Sequence, residues 1–263
     1  MISNKITYHR IASGIVALYF IFWLYQGHFL FQLHHPTLIN TGIDNTYWLL
    51  CILRIPQTIM QFPLLFDLLF VVVSIISFAT KNKWSFRFLL IVSIVHIITF
   101  NVFTGMHTKS CVFLPMLLLP FCFDKLFDLV WQGVRYYFLF VLVSAAFYKI
   151  LNGGLFHPNQ FVHILENQHA ELSILNPTNY TYLLSVWLIQ HAAIANMLWY
   201  ALFVMEAIFL IGFFTRKFDS ILLVVLVLFM LSTFILMRIS LFDFCCAFPF
   251  LFILKNDKKD NSH

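Results

Sequence analysis

Long apolar runs separated by short polar stretches dominate the chain. None of the runs alternates with the two-residue period of a membrane β-strand, so each is predicted to be a helix. A bilayer core about 30 Å thick requires about 20 apolar residues per helix. Eight runs are predicted to span the membrane: 11–33, 62–80, 86–103, 111–124, 133–151, 194–214, 218–237 and 239–254. The fourth and eighth runs are short, which is typical of tilted or partial spans.

The composition supports a membrane protein. Hydrophobic residues make up 61% of the chain and charged residues only 10%, whereas a soluble domain has about 25% charged residues. We therefore predict an all-α fold, a polytopic integral membrane bundle of about eight transmembrane helices. It forms one domain over 1–254, with a long outer loop at 152–193 and a short cytoplasmic tail at 255–263. The polar start of the chain is not followed by a small-residue cleavage site, so the first run is expected to be retained as a span.

The basic residues predict the orientation of these spans. With the N-terminus in the cytoplasm, the segments on that side carry all of the 16 Lys and Arg residues except Arg54, Lys109, Lys149 and Arg238. Lysine and arginine are retained on the cytoplasmic side of membrane proteins. We expect a bacterial inner-membrane protein with both termini cytoplasmic. Its net charge of +5 then matches anionic lipid at the inner leaflet, and no nucleic-acid partner is needed.

The outer face is the predicted location of any chemistry. Most of the histidines fall at or beyond the outer ends of the spans, and the outer loop contains no Lys or Arg. Its apolar residues favour ordered packing on the bundle. His157, His163 and His169 recur every six residues, whereas metal pairs on a helix need a spacing of three or four. No metal site is therefore expected, and five cysteines without a CxxC pair argue against a disulfide-exchange enzyme.

Four ionisable residues interrupt the apolar runs: Asp67, His96, Lys149 and Glu206. An ionised side chain at the centre of a span costs about 2.5–3.5 kcal/mol, so such residues normally face inward and have partners. Each has a structural interpretation. Asp67 lies near the end of its span and could reach water, His96 could share one hydrogen bond with a neighbouring helix, and Glu206 could be a structural acceptor.

Lys149 has two interpretations. It lies about two residues from the end of its predicted helix, where a lysine side chain can extend to the membrane surface as an anchor. Alternatively, a lysine held away from water loses its proton more readily and can act as a general base near neutral pH. Its position in the helix favours the anchor.

Three stretches, in chain order, resemble a known membrane module. "TFNVFTGMHTKSCVFLPMLLLPF" has a histidine before a short span, "FLFVLVSAAFYKILNGGLF" has a lysine at the end of a span, and "LFVMEAIFLIGFFTRKFD" has a glutamate within a span. Together they resemble the HTTM-type membrane domain shared with vitamin K-dependent γ-glutamyl carboxylase, over roughly 10–254. The last two stretches are also similar to DoxX- and MauE-like membrane proteins.

The resemblance implies a chemistry and a set of residues. In the carboxylase, a lysine and a histidine on the lumenal side handle a reduced quinone. Lys149 would match that lysine as the base and His107 that histidine, with Glu206 as a supporting acceptor. The chain departs from the carboxylase in lacking its large lumenal domain. The turn "ILNGGLFHP" also lacks the acidic residue and tryptophan expected there, which counts against carboxylation of a protein substrate.

Two functions therefore remain open. The first is a quinone- or lipid-dependent membrane enzyme with an outer-face, periplasmic site that uses Lys149, His107 and Glu206. The alternative is a non-catalytic accessory membrane subunit that assembles or matures a membrane or periplasmic partner protein. A small transporter is a third hypothesis, and the lack of obviously paired broken helices counts against it.

Overall fold

A computed structural model describes residues 2–33, 54–104, 113–157, 159–239 and 241–252. Throughout these ranges the secondary structure is helical, without strands, which confirms the predicted all-α fold. The α-helices are α1 (Ile2–Gln26), α2 (Ile55–Ile59), α3 (Pro63–Thr80), α4 (Lys83–Thr104), α5 (Phe113–Leu118), α6 (Phe127–Leu151), α7 (Gln160–Leu175), α8 (Tyr180–Gln190), α9 (Ala192–Ala207), α10 (Ile211–Phe214), α11 (Asp219–Met237) and α12 (Phe248–Phe252). Short 3₁₀ segments occur at Leu30–Gln32, Leu119–Cys122, Asp124–Leu126, Ile208–Leu210 and Phe242–Ala247.

Six helical segments in the described part of the chain are long and apolar enough to cross a membrane. They are Ile6–Gln32, Pro63–Thr80, Lys83–Phe103, Asp124–Leu151, Ala192–Phe214 and Asp219–Met237. The predicted fourth and eighth spans correspond to two shorter apolar segments, Phe113–Cys122 and Phe242–Leu251. The membrane-protein class is therefore supported, with six long candidate spans and two shorter apolar segments where the fourth and eighth spans were predicted.

The described residues form two compact units, one running up to Val134 and the other covering Arg135–Phe252. In the first unit, the short segment α5 leads the chain back to the end where α1 and α4 begin. Arg87 Nε, near the start of α4, donates a hydrogen bond to the carbonyl oxygen of Cys122 at 3.2 Å. Tyr8 Oη, near the start of α1, donates to the carbonyl oxygen of Leu117 at 2.7 Å. Although it is short, this segment runs in the direction opposite to α4.

In the second unit, α6 runs antiparallel to α9 and α10. At one end Arg135 Nη2 donates to the carbonyl oxygen of Gly212 at 3.0 Å, and at the other Trp199 Nε1 donates to the carbonyl oxygen of Gly154 at 3.0 Å. Arg135 is fully buried and also forms an ion pair with Asp219 at the start of α11. The sequence had placed Arg135 only among the basic residues of the cytoplasmic side, so its role in joining three helices was not predicted.

Gly212 allows close packing at this crossing. A Cβ atom added to Gly212 would lie 2.8 Å from Leu139 Cδ2 and 3.0 Å from Leu222 Cδ1. Side chains do not normally approach that closely, so only glycine fits between α6 and α11 without movement.

The predicted outer loop is largely helical, since α7 and α8 both lie within it. One face of α7 is buried, with Phe161, Val162, Leu165, His169 and Leu172 packed into the second unit. This arrangement confirms the expectation that the apolar residues of the loop form ordered packing.

Candidate functional site

Lys149 and Glu206 form an ion pair in the second unit. Lys149 Nζ donates a hydrogen bond of 2.7 Å to Glu206 Oε2. The Lys149 side chain is 19% exposed and that of Glu206 is 6% exposed. Glu206 lies close to the middle of the candidate span Ala192–Phe214, where an unpaired charge is costly. Two of the predicted site residues, 57 positions apart in the chain, are therefore in direct contact.

The direction of α6 explains why Lys149 reaches Glu206. Side chains on an α-helix lean toward its N-terminus, so a lysine in the last turn of α6 extends back along the helix. The opposite end of α6 is at Phe127. Because α9 runs antiparallel to α6, Glu206 lies closer to that end than Trp199 does. The side chain thus points into the unit and pairs with Glu206, which differs from the arrangement expected of a surface anchor.

Trp199 lies against the Lys149 ammonium group. Nζ is 4.5 Å from the centroid of the tryptophan ring, within the range of a cation–π interaction. The ring is held by its hydrogen bond to Gly154 and by stacking on Phe161, with centroids 5.7 Å apart. The sequence analysis missed Trp199. A usable signal was its spacing of seven residues before Glu206, which places both on one face of α9.

An apolar groove runs along α6 in the second unit. Its volume is about 690 Å³, and it is lined by Phe140, Val143, Ser144, Phe147, Tyr148, Leu151, Leu210, Phe213 and Phe214. Lys149 and Glu206 do not line the groove. Tyr148 precedes Lys149 in α6, and Leu210 follows Glu206 by one helical turn. The groove therefore offers an apolar surface for a long hydrocarbon chain along the same helical segments that carry the ion pair.

The remaining predicted site residue, His107, lies outside the described residues. The other two ionisable residues predicted at membrane depth form a separate pair in the first unit. His96 Nε2 lies 3.0 Å from Asp67 Oδ1, which confirms the expectation that His96 shares a hydrogen bond with a neighbouring helix. Asp67 is only 3% exposed and accepts a second hydrogen bond from the backbone N–H of Phe31 at 2.9 Å. The interpretation that Asp67 reaches water was therefore wrong.

The histidines of the outer loop are spread around α7 and the turn before it. The rings of His157 and His163 are 6.4 Å apart, and His163 faces Glu166 in an exposed contact. His169 is buried, and Nδ1 lies 3.1 Å from the carbonyl oxygen of Leu165. Burial lowers the pKa of His169 from its ordinary value of 6.5, and the positive charge of Arg238 lowers this pKa further.

Comparison of the chain with protein-family models, curated proteins and solved structures finds no match. The resemblance to the HTTM-type domain therefore rests on the three short motifs alone, and the chemistry of the site has to be argued from its geometry.

Proposed function

We propose that this chain is an integral membrane enzyme that removes a proton from a lipid-soluble substrate, with Lys149 as the base. The observation that carries the proposal is the contact between Lys149 and Glu206, a largely buried acid–base pair beside the Trp199 ring. Direct proton transfer requires that the two groups lie within hydrogen-bond reach of each other. At 2.7 Å, Glu206 is at that distance from the lysine amine.

Proton transfer within the pair prepares the base. The Lys149 ammonium group passes a proton to the Glu206 carboxylate, which leaves a neutral amine and a neutral carboxylic acid. The amine then accepts a proton from the substrate and becomes an ammonium group again, facing the substrate anion. Trp199 stabilises this ammonium group through its ring face and limits access of water from that side.

A reduced quinone is the substrate or cofactor class that fits best. It supplies an acidic phenolic O–H and carries an isoprenoid tail that suits an apolar, aromatic groove. The groove along α6 has four phenylalanines in its lining, which match such a tail. We assign His107 no step, because only the resemblance links it to this site.

Oxidation of a reduced prenylated naphthoquinol by dissolved dioxygen tests the proposal. The quinol loses two electrons and two protons, and dioxygen takes them up to form hydrogen peroxide, so a base that removes the first proton accelerates the reaction. Protein in lipid nanodiscs should oxidise the quinol faster than empty nanodiscs. Glu206→Gln should lower the enhancement by about 10²-fold or more. Lys217→Arg, an exposed residue, should keep the full rate. Equal rates for wild-type and empty nanodiscs would contradict the proposal.

The alternative, a non-catalytic accessory subunit, is favoured by one observation. Three strongly exposed apolar residues lie on α7 and α8, outside the candidate spans: Ile174 at 82%, Leu175 at 71% and Tyr180 at 89%. These residues would suit a partner protein on the outer side. A photo-crosslinker placed at Tyr180 in native membranes distinguishes the two. Adducts with one defined protein support the accessory function, and adducts with lipid alone contradict it.

We also propose a bacterial inner-membrane location with both termini cytoplasmic and eight crossings, two of them made by the short apolar segments. The return of the α5 segment to the end where α1 begins supports an even number of crossings before α6. Reporter fusions at residue 165 and at the C-terminus test this orientation. A cytoplasmic signal from position 165 would overturn it.

A further inference from the structure

The first unit contains a second buried polar pair that the proposed function does not use. His96 and Asp67 are 0% and 3% exposed, and both lie within candidate spans. Asp67 is held by the His96 ring on one oxygen and by the Phe31 N–H on the other. The carboxylate thus has fixed partners, and its contact with Nε2 fixes the orientation of the imidazole ring.

The surroundings of His96 are aromatic. The Trp23 ring is nearly parallel to the His96 ring, with centroids 4.5 Å apart and an interplanar angle of 21°. Phe70 lies at 5.2 Å and Phe66 at 6.3 Å. Aromatic faces stabilise a cation beside them, so this cage suits an imidazole that becomes charged next to a carboxylate.

The second ring nitrogen of His96 has no hydrogen-bond partner in the described part of the chain, although it is buried. With Nε2–H donating to Asp67, Nδ1 carries a free lone pair. A buried polar atom without a partner costs about 1–3 kcal/mol. Such atoms in native proteins usually have a partner, frequently an ordered water.

Thr99 supplies a second buried polar atom of the same kind. It is 1% exposed, and its Oγ1 has no partner in the described residues. Some buried helical hydroxyls in this protein donate to a carbonyl oxygen of the preceding turn, as Ser74 does to Phe70 and Thr233 to Phe229. Residues three apart on a helix are neighbours on its surface, about 5–6 Å apart at Cβ. His96 and Thr99 therefore lie on the same face of α4.

We propose that Asp67 and His96 form a proton-binding site inside the first unit, completed by a buried water held between His96 Nδ1 and Thr99 Oγ1. A proton from the aqueous phase passes through this water, which accepts one proton as it gives another to Nδ1. The imidazole becomes an imidazolium ion, and the Asp67 carboxylate balances its charge. Ionisable residues inside membrane spans commonly form such proton relays. This site is independent of the Lys149–Glu206 pair.

The direction in which Thr99→Val shifts the unfolding midpoint tests whether the Thr99 hydroxyl binds a buried water. If the hydroxyl binds a water, its loss leaves the water and His96 short of a partner, and the unfolding midpoint should fall. If the hydroxyl is truly unpartnered, replacing it with a methyl group of similar shape should raise the midpoint. Thr233→Val is the matched control, because Thr233 is equally buried at 4% but bonds to its own helix. Thr99→Ser should restore the wild-type midpoint.

Solid-state NMR of ¹⁵N-histidine-labelled protein in proteoliposomes tests the site directly. We expect magnetisation transfer from water protons to the His96 side-chain nitrogen, assigned through His96→Gln, and loss of that transfer in Thr99→Val. Asp67→Asn should change the tautomer seen at His96. A higher unfolding midpoint for Thr99→Val together with no transfer from water to His96 would overturn the proposal.

Discussion

Replacing Lys149 with methionine should destabilise the second unit, because Glu206 is left buried without a partner. Removing one member of a buried ion pair costs about 3–5 kcal/mol. The Lys149 side chain is 19% exposed, so some water reaches the pair and the lower end applies. We therefore expect Lys149→Met to lower the free energy of unfolding by about 3 kcal/mol. The position of Lys149 near the end of α6 would by itself give a smaller effect, because a helix end can rehydrate, and the larger value follows from the contact with Glu206.

The double variant Lys149→Met/Glu206→Leu supplies the control. It removes both charges, and replacing a buried pair with apolar residues of similar size is often neutral or stabilising. With the Lys149 single variant costing about 3 kcal/mol and the double variant near neutral, the coupling energy between the two positions should be at least about 3 kcal/mol. The assay is reversible unfolding in mixed detergent micelles, followed by tryptophan fluorescence, for the wild type, both single variants and the double variant. A coupling energy below about 0.5 kcal/mol, which is the normal additivity error, would refute the buried pair.

Two further predictions concern other parts of the second unit. His169 binds protons more readily in the unfolded chain, because burial lowers its pKa in the folded protein, so stability should fall as pH decreases below about 6.5. His169→Leu should weaken this fall in the thermal midpoint between about pH 7.5 and pH 5.5, whereas replacing the exposed His163 with Gln should not. Gly212→Ala should cost about 1–3 kcal/mol of unfolding free energy, because its Cβ would lie 2.8 Å from Leu139. Gly133→Ala, with no atom within 4 Å of the added Cβ, should be neutral or stabilising by up to about 1 kcal/mol in the same unfolding assay.

Hydropathy predicted the long helices well, because spans in lipid are set by the length of their apolar runs. It also identified the fourth and eighth runs as short, and those are the two shorter apolar segments of the structure. It did not reveal the hydrogen bonds that hold this fourth run, from Tyr8 to the carbonyl oxygen of Leu117 and from Arg87 to that of Cys122, because these residues are distant in sequence.

The sequence predicted the members of the candidate site better than their contacts. Lys149 and Glu206 were both identified, but their pairing depends on the antiparallel packing of α6 and α9, which periodicity does not encode. The anchor interpretation of Lys149 considered its distance from the end of the helix and not the direction of its side chain. Asp67 shows the same limit, since its distance from the span end suggested water, whereas His96 and the Phe31 amide enclose it.

The most direct test of the central claim is the rate of naphthoquinol oxidation by Lys149→Arg in nanodiscs. Arginine can keep the ion pair with Glu206, so the fold should be retained, and unfolding of the same sample verifies this. A guanidinium group stays protonated and cannot act as a base. The account predicts that the rate falls to that of empty nanodiscs. A wild-type rate in a folded Lys149→Arg variant would contradict it and would leave Lys149 as a structural partner of Glu206.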